Sequence, residues 1–398
     1  MKNLTRREFM SLGGAAAVAG LSTTGSLLPQ VASAAEPIKL GLLHSLTGTI
    51  AIAEAAMVDA EKMAIDEINA SGGVLGRRIQ PVIQDGASQP SVFAEKASLL
   101  LAEDKVAAIV GCYTSASRKA VEPILARYNG LLYYPTYFEG QEEDPHVMYT
   151  SQSANQSVVQ AIDWLAKEKG KTFFLVGSDY VYPHTCNLIA KLTMKKNGST
   201  LVGEEYAPLG QTDFSAIINK IKAAKPACVY STVVGGSNVA FFKQLNAAGL
   251  GGDKLTLLST VVSENEIQGI GAQNAVGYYA CMGYFQSIDT PINKRFVAAF
   301  KKRYGQDRVI GDPMECAYNS VYLWKKGVEK AKSFGTRDVV VASRNMVLEA
   351  PEGEVKVDPM NNYVWKKVRI GRARLDGQFD IVWASPGLVK PEPFILKS

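Results

Sequence analysis

The sequence predicts an α/β protein of two lobes, each a parallel sheet flanked by helices, with antiparallel strands at the C-terminus. Three observations predict it. The 398 residues, 47% of them hydrophobic, exceed what one core usually encloses. From Ile38 onward, short β-rich runs alternate with amphipathic helical stretches, the rhythm of right-handed crossovers. After about Ala331 that rhythm gives way to closely spaced strands.

The first element is no part of either lobe. Thr5-Arg6-Arg7-Glu8-Phe9-Met10 precedes a mildly apolar run broken by Gly13, Gly14, Gly20 and Gly25, and Ala32-Ser33-Ala34 then offers small residues for cleavage. Paired arginines and weak hydrophobicity read as a twin-arginine export signal over residues 1–34, with the mature chain starting near Ala35. No cysteine near that point invites a lipid anchor, and no later segment has the roughly 20 apolar residues of a spanning helix.

The first unit then shows the logic of the fold. Ile38–Leu43 is an apolar strand, His44–Gly48 a polar loop, and Met57, Ala60, Ala64 and Ile68 recur at helical spacing. Further strands are expected at Ile79–Gln84, Val106–Cys112, Leu131–Tyr134, Thr172–Ser178, Thr200–Ala207, Ala227–Val234, Thr256–Val262 and Val276–Tyr284. The polar passage Tyr149–Asn155 is expected to separate two sets, and the run after Val276 to lead back to the first. Helices at Pro291–Tyr304 and Pro313–Ala331 precede antiparallel strands at Glu354–Val357, Tyr363–Ala373 and Gln378–Ala384, with Asp376-Gly377 as a hairpin turn. Residues 35–152 and 280–350 are thus assigned to lobe 1, and 153–279 and 351–398 to lobe 2 and hinge.

Charge and motifs exclude several classes. The formal charge of +5 falls to +3 without residues 1–34, too little for a nucleic-acid surface. Clusters such as Arg77-Arg78 and Lys195-Lys196 do not repeat along a face. G-x-S-x-G, P-loop, G-x-G-x-x-G and H-E-x-x-H motifs are all missing, so no enzyme and no cofactor is expected. His44, His146 and His184 are too few and scattered for a metal site, although His44 either touches a ligand or braces its loop. Cys112, Cys186, Cys228, Cys281 and Cys316 form no C-x-x-C pair; buried thiols are the main reading, with one disulfide still allowed.

Ligands of open α/β sheets collect beyond the carboxyl ends of the strands. Three such ends here are rich in hydroxyls: Gly111-Cys112-Tyr113-Thr114-Ser115, Tyr133-Tyr134-Pro135-Thr136-Tyr137, and Ser178-Asp179-Tyr180-Val181-Tyr182-Pro183. Tyrosine supplies a flat wall and a hydroxyl, Ser115 and Thr136 donate without charge, and the implied ligand is small, planar and neutral. A free amino acid would need charged partners at both ends, and these segments hold no lysine or arginine. Asp179, Glu139 and Glu264 read either as acceptors for amide N–H groups or as capping and loop residues. Arg118-Lys119 reads as surface charge or a latch across the cleft.

Asp66-Glu67-Ile68-Asn69-Ala70-Ser71-Gly72-Gly73-Val74-Leu75-Gly76-Arg77, with these loops, Ser287–Pro291 and Asp312–Glu315, resembles the branched-chain amino acid/amide class of type I periplasmic binding proteins, and within it the urea and short-chain amide receptors. The likeness runs from about Ile38 to the C-terminus. It implies a two-lobed type I periplasmic-binding-protein fold that closes on urea, acetamide or formamide and docks on an ABC permease and ATPase in the periplasm. By the same resemblance Tyr113, Ser115, Tyr134 and Thr136 match ligand-binding positions of the first lobe, and Tyr180 and Tyr182 those of the second. Thr260-Val261-Val262-Ser263-Glu264 departs from the amide sensor and Thr136-Tyr137 from the urea receptors, which leaves urea against acetamide open. Ala350-Pro351-Glu352-Gly353 looks closer to the amide sensor, whereas the leader resembles that of a transport receptor. An amide-sensing module and a branched-chain amino acid receptor are the alternatives.

Overall fold

Leu40, Leu42 and Leu43 have no exposure because β1 (Ile38–His44) lies inside a parallel sheet covered on both faces. The computed structural model describes residues 36–397, so the expected export leader lies outside the described residues. On one side β1 pairs with β2 (Ile79–Asp85), and on the other with β3 (Ile109–Gly111). The sheet continues through β4 (Leu132–Tyr134) and β5 (Val147–Tyr149), in the order β2-β1-β3-β4-β5, all parallel.

The second sheet is built from β6 (Thr172–Ser178), β7 (Thr200–Ala207), β8 (Cys228–Thr232), β9 (Leu257–Ser259) and β10 (Tyr279–Met282). Three more strands, β11 (Val347–Ala350), β12 (Gly353–Val357) and β13 (Val364–Trp365), make a small antiparallel sheet. β14 (Arg369–Ala373) and β15 (Phe379–Ala384) then complete the second sheet, in the order β15-β14-β10-β9-β8-β6-β7. Their hairpin turns at Asp376-Gly377, where Gly377 has φ 78° and Asp376 accepts the Gln378 N–H.

Several expectations shift. β5 was not expected, only its last residue, Tyr149, falling in the passage Tyr149–Asn155; its Val147 and Tyr149 are buried against Phe138 and Tyr363, a packing partner more than 200 residues away that no local pattern reveals. The run Tyr363–Ala373 is two strands in two sheets. β10 pairs with β9 and β14, so it belongs to the second sheet and does not lead back to the first. The helix Pro291–Tyr304 lies against the helix Met57–Ala70 that follows β1, with Arg303 bonded to Asp66 and the Tyr304 hydroxyl donating to Asp59 O at 2.8 Å.

The return to the first sheet comes later, in the helix Asp312–Ala331, whose Val321, Trp324 and Val328 pack with Leu40, Val110 and Tyr133. Val355, Val357 and Val364 join that same core, so residues 353–365 pack with the first sheet and not, as expected, with the second. Among the described residues no helix is long and apolar enough to cross a membrane.

Candidate functional site

The carboxyl ends of the two sheets face each other, and the loops that leave them touch. Gly236 N–H donates to Thr49 O at 2.9 Å, and Asn265 Nδ2 to Ile52 O at 2.7 Å. The Tyr137 ring, from the loop after β4, lies 5.9 Å from that of Tyr182, from the loop after β6.

Local backbone chemistry aims the first wall. A Cβ at Gly111 would lie 2.1 Å from Leu43 O, so only glycine lets β3 end this close to β1. Cys112 follows with φ 62°, a left-handed conformation rare outside glycine and asparagine, and this turn directs Tyr113 toward the second sheet. The Tyr113 and Tyr137 hydroxyls meet at 2.5 Å, and both rings are almost wholly buried.

The other first-wall residues singled out in the sequence serve this geometry. Tyr134 donates its hydroxyl to Tyr113 O at 2.6 Å, and Thr136 Oγ1 approaches Cys112 O at 3.4 Å. Ser115 Oγ donates to Glu139 Oε2 at 2.5 Å and accepts from Arg118 Nη1 at 3.1 Å. Their polar atoms are therefore engaged with the loops themselves.

Arg118 corrects the surface reading, for its side chain has no exposure at all. Its Nη2 donates to Glu139 Oε1 at 3.1 Å and its Nε to Glu142 Oε1 at 2.8 Å, while the guanidinium lies 4.7 Å from the Tyr134 ring centre and 5.0 Å from that of Phe138. Burial alone would lift Glu142, yet Arg118 and Lys119 hold it down at about 2. Glu139 is thus an ion-pair partner, neither a cap nor a solvated loop residue.

The second wall is neutral. Tyr182 and Tyr230 both bring their hydroxyls to Thr260 Oγ1, at 3.3 and 3.1 Å. Tyr180 is half-buried, its ring 6.2 Å from that of Tyr182. Burial pushes Tyr113, Tyr137, Tyr180, Tyr182 and Tyr230 well above the usual phenol range, so each stays an uncharged hydroxyl.

Asp179 faces outward and pairs with His184 at 2.7 Å. Glu264 is fully buried; its Oε1 accepts the Gln286 N–H at 2.7 Å, and burial raises it to about 8. His44 sits between Glu54 and Glu61, at 3.1 and 2.7 Å, bracing the helices that follow β1. Although burial would lower it, the carboxylates of Glu61 and Glu54 hold His44 up at about 10.

All five cysteines are buried free thiols. Ligand atoms of Glu315, Cys316 and Glu352 lie within 4.8 Å of one another, a spacing that would suit a cation. Lys366 Nζ already occupies that place, 2.7 Å from Glu352 Oε1 and 3.0 Å from Cys316 Sγ.

The reading of the loops passed over Tyr137, Tyr230 and Thr260 as wall residues. Tyr137 stood inside the loop Tyr133–Tyr137, and a third tyrosine within five residues was the available signal. Tyr230 lies mid-strand, where a tyrosine reads as core, and Thr260 gains its meaning only from the two hydroxyls brought to it.

A family model described as a periplasmic binding protein domain matches residues 38–398. The leucine-, isoleucine-, valine-, threonine- and alanine-binding protein of Pseudomonas aeruginosa is 27% identical over 362 residues, 90% of this chain and 93% of that protein. A solute binding protein of an ABC transporter from R. palustris, solved with 4-hydroxybenzoate, superimposes with a TM-score of 0.79 at 26% identity, covering 90% of this chain and 98% of the other. A limonene hydroxylase of Geobacillus stearothermophilus is 36% identical over 126 residues, which is 32% of this chain and 23% of that protein. With two facing sheets, a cleft between their strand ends and a family match spanning both, the chain belongs to the periplasmic binding protein family.

Proposed function

We propose that the protein is the substrate-binding component of an ABC importer, working in the periplasm as a receptor and not as an enzyme, and that it carries urea or a short-chain aliphatic amide. The observation that carries this reading is the charge balance of the cleft. Its walls present neutral hydroxyls, from Tyr113, Tyr137, Tyr182 and Thr260, while the one arginine behind them is fully engaged by Ser115, Glu139 and Glu142. A carboxylate ligand would find no free cation among these groups, and burying an unpaired charge is costly. A neutral amide asks only for hydroxyl donors and acceptors.

In this reading Tyr113, Tyr137, Tyr182 and Thr260 surround the ligand, with Tyr180 at the rim, and Ser115, Tyr134 and Thr136 hold the first wall in place. Ligand contact with both walls favours the closed state, which the permease and ATPase then recognise. Urea has so few heavy atoms that its free energy is capped near about −6 kcal/mol, a dissociation constant of roughly tens of micromolar.

The second reading is an amino-acid receptor, favoured by the full-length likeness to the Pseudomonas aeruginosa protein. Calorimetric titration of the ligand-stripped chain with urea, formamide, acetamide and leucine separates the two. Binding of an amide without leucine is the expected result; binding of leucine alone would overturn the amide reading.

A further inference from the structure

The helices Met57–Ala70, Pro291–Tyr304 and Asp312–Ala331 and the strand β11 enclose a cavity of about 350 Å³, and none of its lining residues belongs to the cleft loops. That volume falls within the roughly 300–1,000 Å³ of small-molecule sites. Ile292, Phe296, Leu348 and Pro351 line it together with Tyr318 and Tyr322. The Phe296 and Tyr318 ring centres lie 4.6 Å apart, and those of Tyr318 and Tyr322 5.0 Å. Glu67 Oε2 accepts both tyrosine hydroxyls, at 2.6 and 2.7 Å, so these hydroxyls are engaged and their rings are held in place as walls.

The polar groups on the lining are of two kinds. Asn319 is 2% exposed. Its Nδ2 donates to Glu315 Oε1 at 2.8 Å, and because that oxygen also accepts the Glu352 N–H at 3.1 Å, the amide of Asn319 is oriented with Oδ1 left over. Oδ1 is buried and has no hydrogen-bond partner among the described residues. A buried acceptor without a donor is costly, and this one lines a cavity with room for the group that would supply it. Arg295 and Glu349 line the same cavity but are exposed, so they stand at its open side. Neither side chain has an ion-pair or hydrogen-bond partner among the described residues. The cavity thus offers an acceptor at its inner end, aromatic and aliphatic walls, and one free charge of each sign at its entrance.

We propose that this cavity is a second small-molecule site, separate from the cleft, for an aromatic α-amino acid whose ring carries an O–H or N–H. The ring fills the space beside Phe296, Tyr318 and Leu348, its donor meets Asn319 Oδ1, and Arg295 and Glu349 receive the carboxylate and the ammonium. The site goes beyond the cleft reading and stands whichever ligand the cleft takes.

L-Tyrosine and L-phenylalanine differ by the one hydroxyl that Asn319 would accept. Both are titrated calorimetrically into wild type, into Arg295→Ala and into Ala299→Trp, which puts a bulky side chain on an exposed position of the lining, with thermal melting to follow folding. Tyrosine is expected to bind wild type, and phenylalanine to bind it at least about tenfold more weakly, because it leaves Oδ1 unpaired. Arg295→Ala should weaken tyrosine about tenfold, and Ala299→Trp should abolish its binding, both with unchanged melting temperatures. Tyrosine binding that survives in Ala299→Trp puts the ligand elsewhere and overturns the proposal. Equal affinity of wild type for the two amino acids overturns it as well, and so does the failure of tyrosine to bind. The comparison of tyrosine with phenylalanine uses wild type alone, so it holds however the variants fold.

Discussion

The molecule buries two clusters of charge, and they differ in which of their groups can take up a proton. Behind the first cleft wall, Arg118 meets Glu139 and Glu142 with its guanidinium between aromatic faces, and Glu142 is held ionised at about 2. Between the two sheets, Lys366 and Arg369 share a pocket with Asp312, Glu315 and Glu352, so carboxylates outnumber cations. Burial there lifts Glu315 well above the carboxylate range and raises Glu352. Glu315 Oε2 and both amide atoms of Gln152 have no hydrogen-bond partner among the described residues, and Glu352 Oε1 lies 2.7 Å from Lys366 Nζ without hydrogen-bond geometry.

The difference teaches where charge is fixed and where it is adjustable. Beside Arg118 only Glu122, at the edge of the cluster and raised by burial to about 7, can take up a proton, and Glu139 and Glu142 keep the guanidinium paired, whereas around Lys366 the buried carboxylates themselves can absorb a change. The segments meeting at Lys366 are the stretch just after β10, the helix Asp312–Ala331, the β11–β12 turn and the stretch between β13 and β14, the joints between the two sheets.

The largest effect is expected at the first cluster. Arg118→Met strands Glu139 and Glu142 in the interior and should cost about 3–5 kcal/mol of unfolding free energy, read from the denaturant midpoint. A wild-type midpoint would break the comparison, because it would mean that those carboxylates protonate as readily as the ones around Lys366.

Next in size is Lys366→Met, with a loss of about 1–3 kcal/mol near neutral pH. Its sign with pH sharpens the contrast. Glu352 already has a folded value above its unfolded one, so its ionisation opposes folding as pH rises, and removing Lys366 strengthens that trend. The deficit against wild type should therefore be smallest near pH 5 and grow toward alkaline pH. A deficit independent of pH would show that no proton replaces the lost ammonium.

The same contrast explains what could be read from the chain before its structure. Strand positions such as Thr172–Ser178 and Thr200–Ala207 follow from local hydrophobic patterning, and they appear where expected. The cleft loops were legible because strand ends are where ligands gather, and because Tyr113, Tyr134 and Tyr182 are too many hydroxyl rings for a plain turn. Arg118 was not legible. A charged residue in an amphipathic helix reads as solvent-facing, and its burial depends on Glu139, Glu142 and Tyr134 arriving from another strand. Lys366 was hidden for the same reason, its partners lying 14 and 50 residues earlier. Patterning records what a residue does for its own element, and buried ion pairs are made between elements.

The smallest effect tests the neutral side of the cleft. Tyr113→Phe removes the hydroxyl that meets Tyr137 at 2.5 Å but leaves the ring, its T-shaped contact with Tyr137 and the Tyr134 bond to the main chain in place. Nothing charged is stranded, so the cost should be that of one neutral hydrogen bond, about 1 kcal/mol, seen as a roughly fivefold weaker urea or acetamide affinity by calorimetry. The ranking follows from the groups involved: an uncharged donor lost from a pair of hydroxyls leaves a partner that can turn to the ligand, whereas an ion lost from Arg118 leaves partners that cannot. Unchanged amide affinity in Tyr113→Phe would mean that the paired hydroxyls brace the wall and that the ligand is held by the second sheet's loops alone.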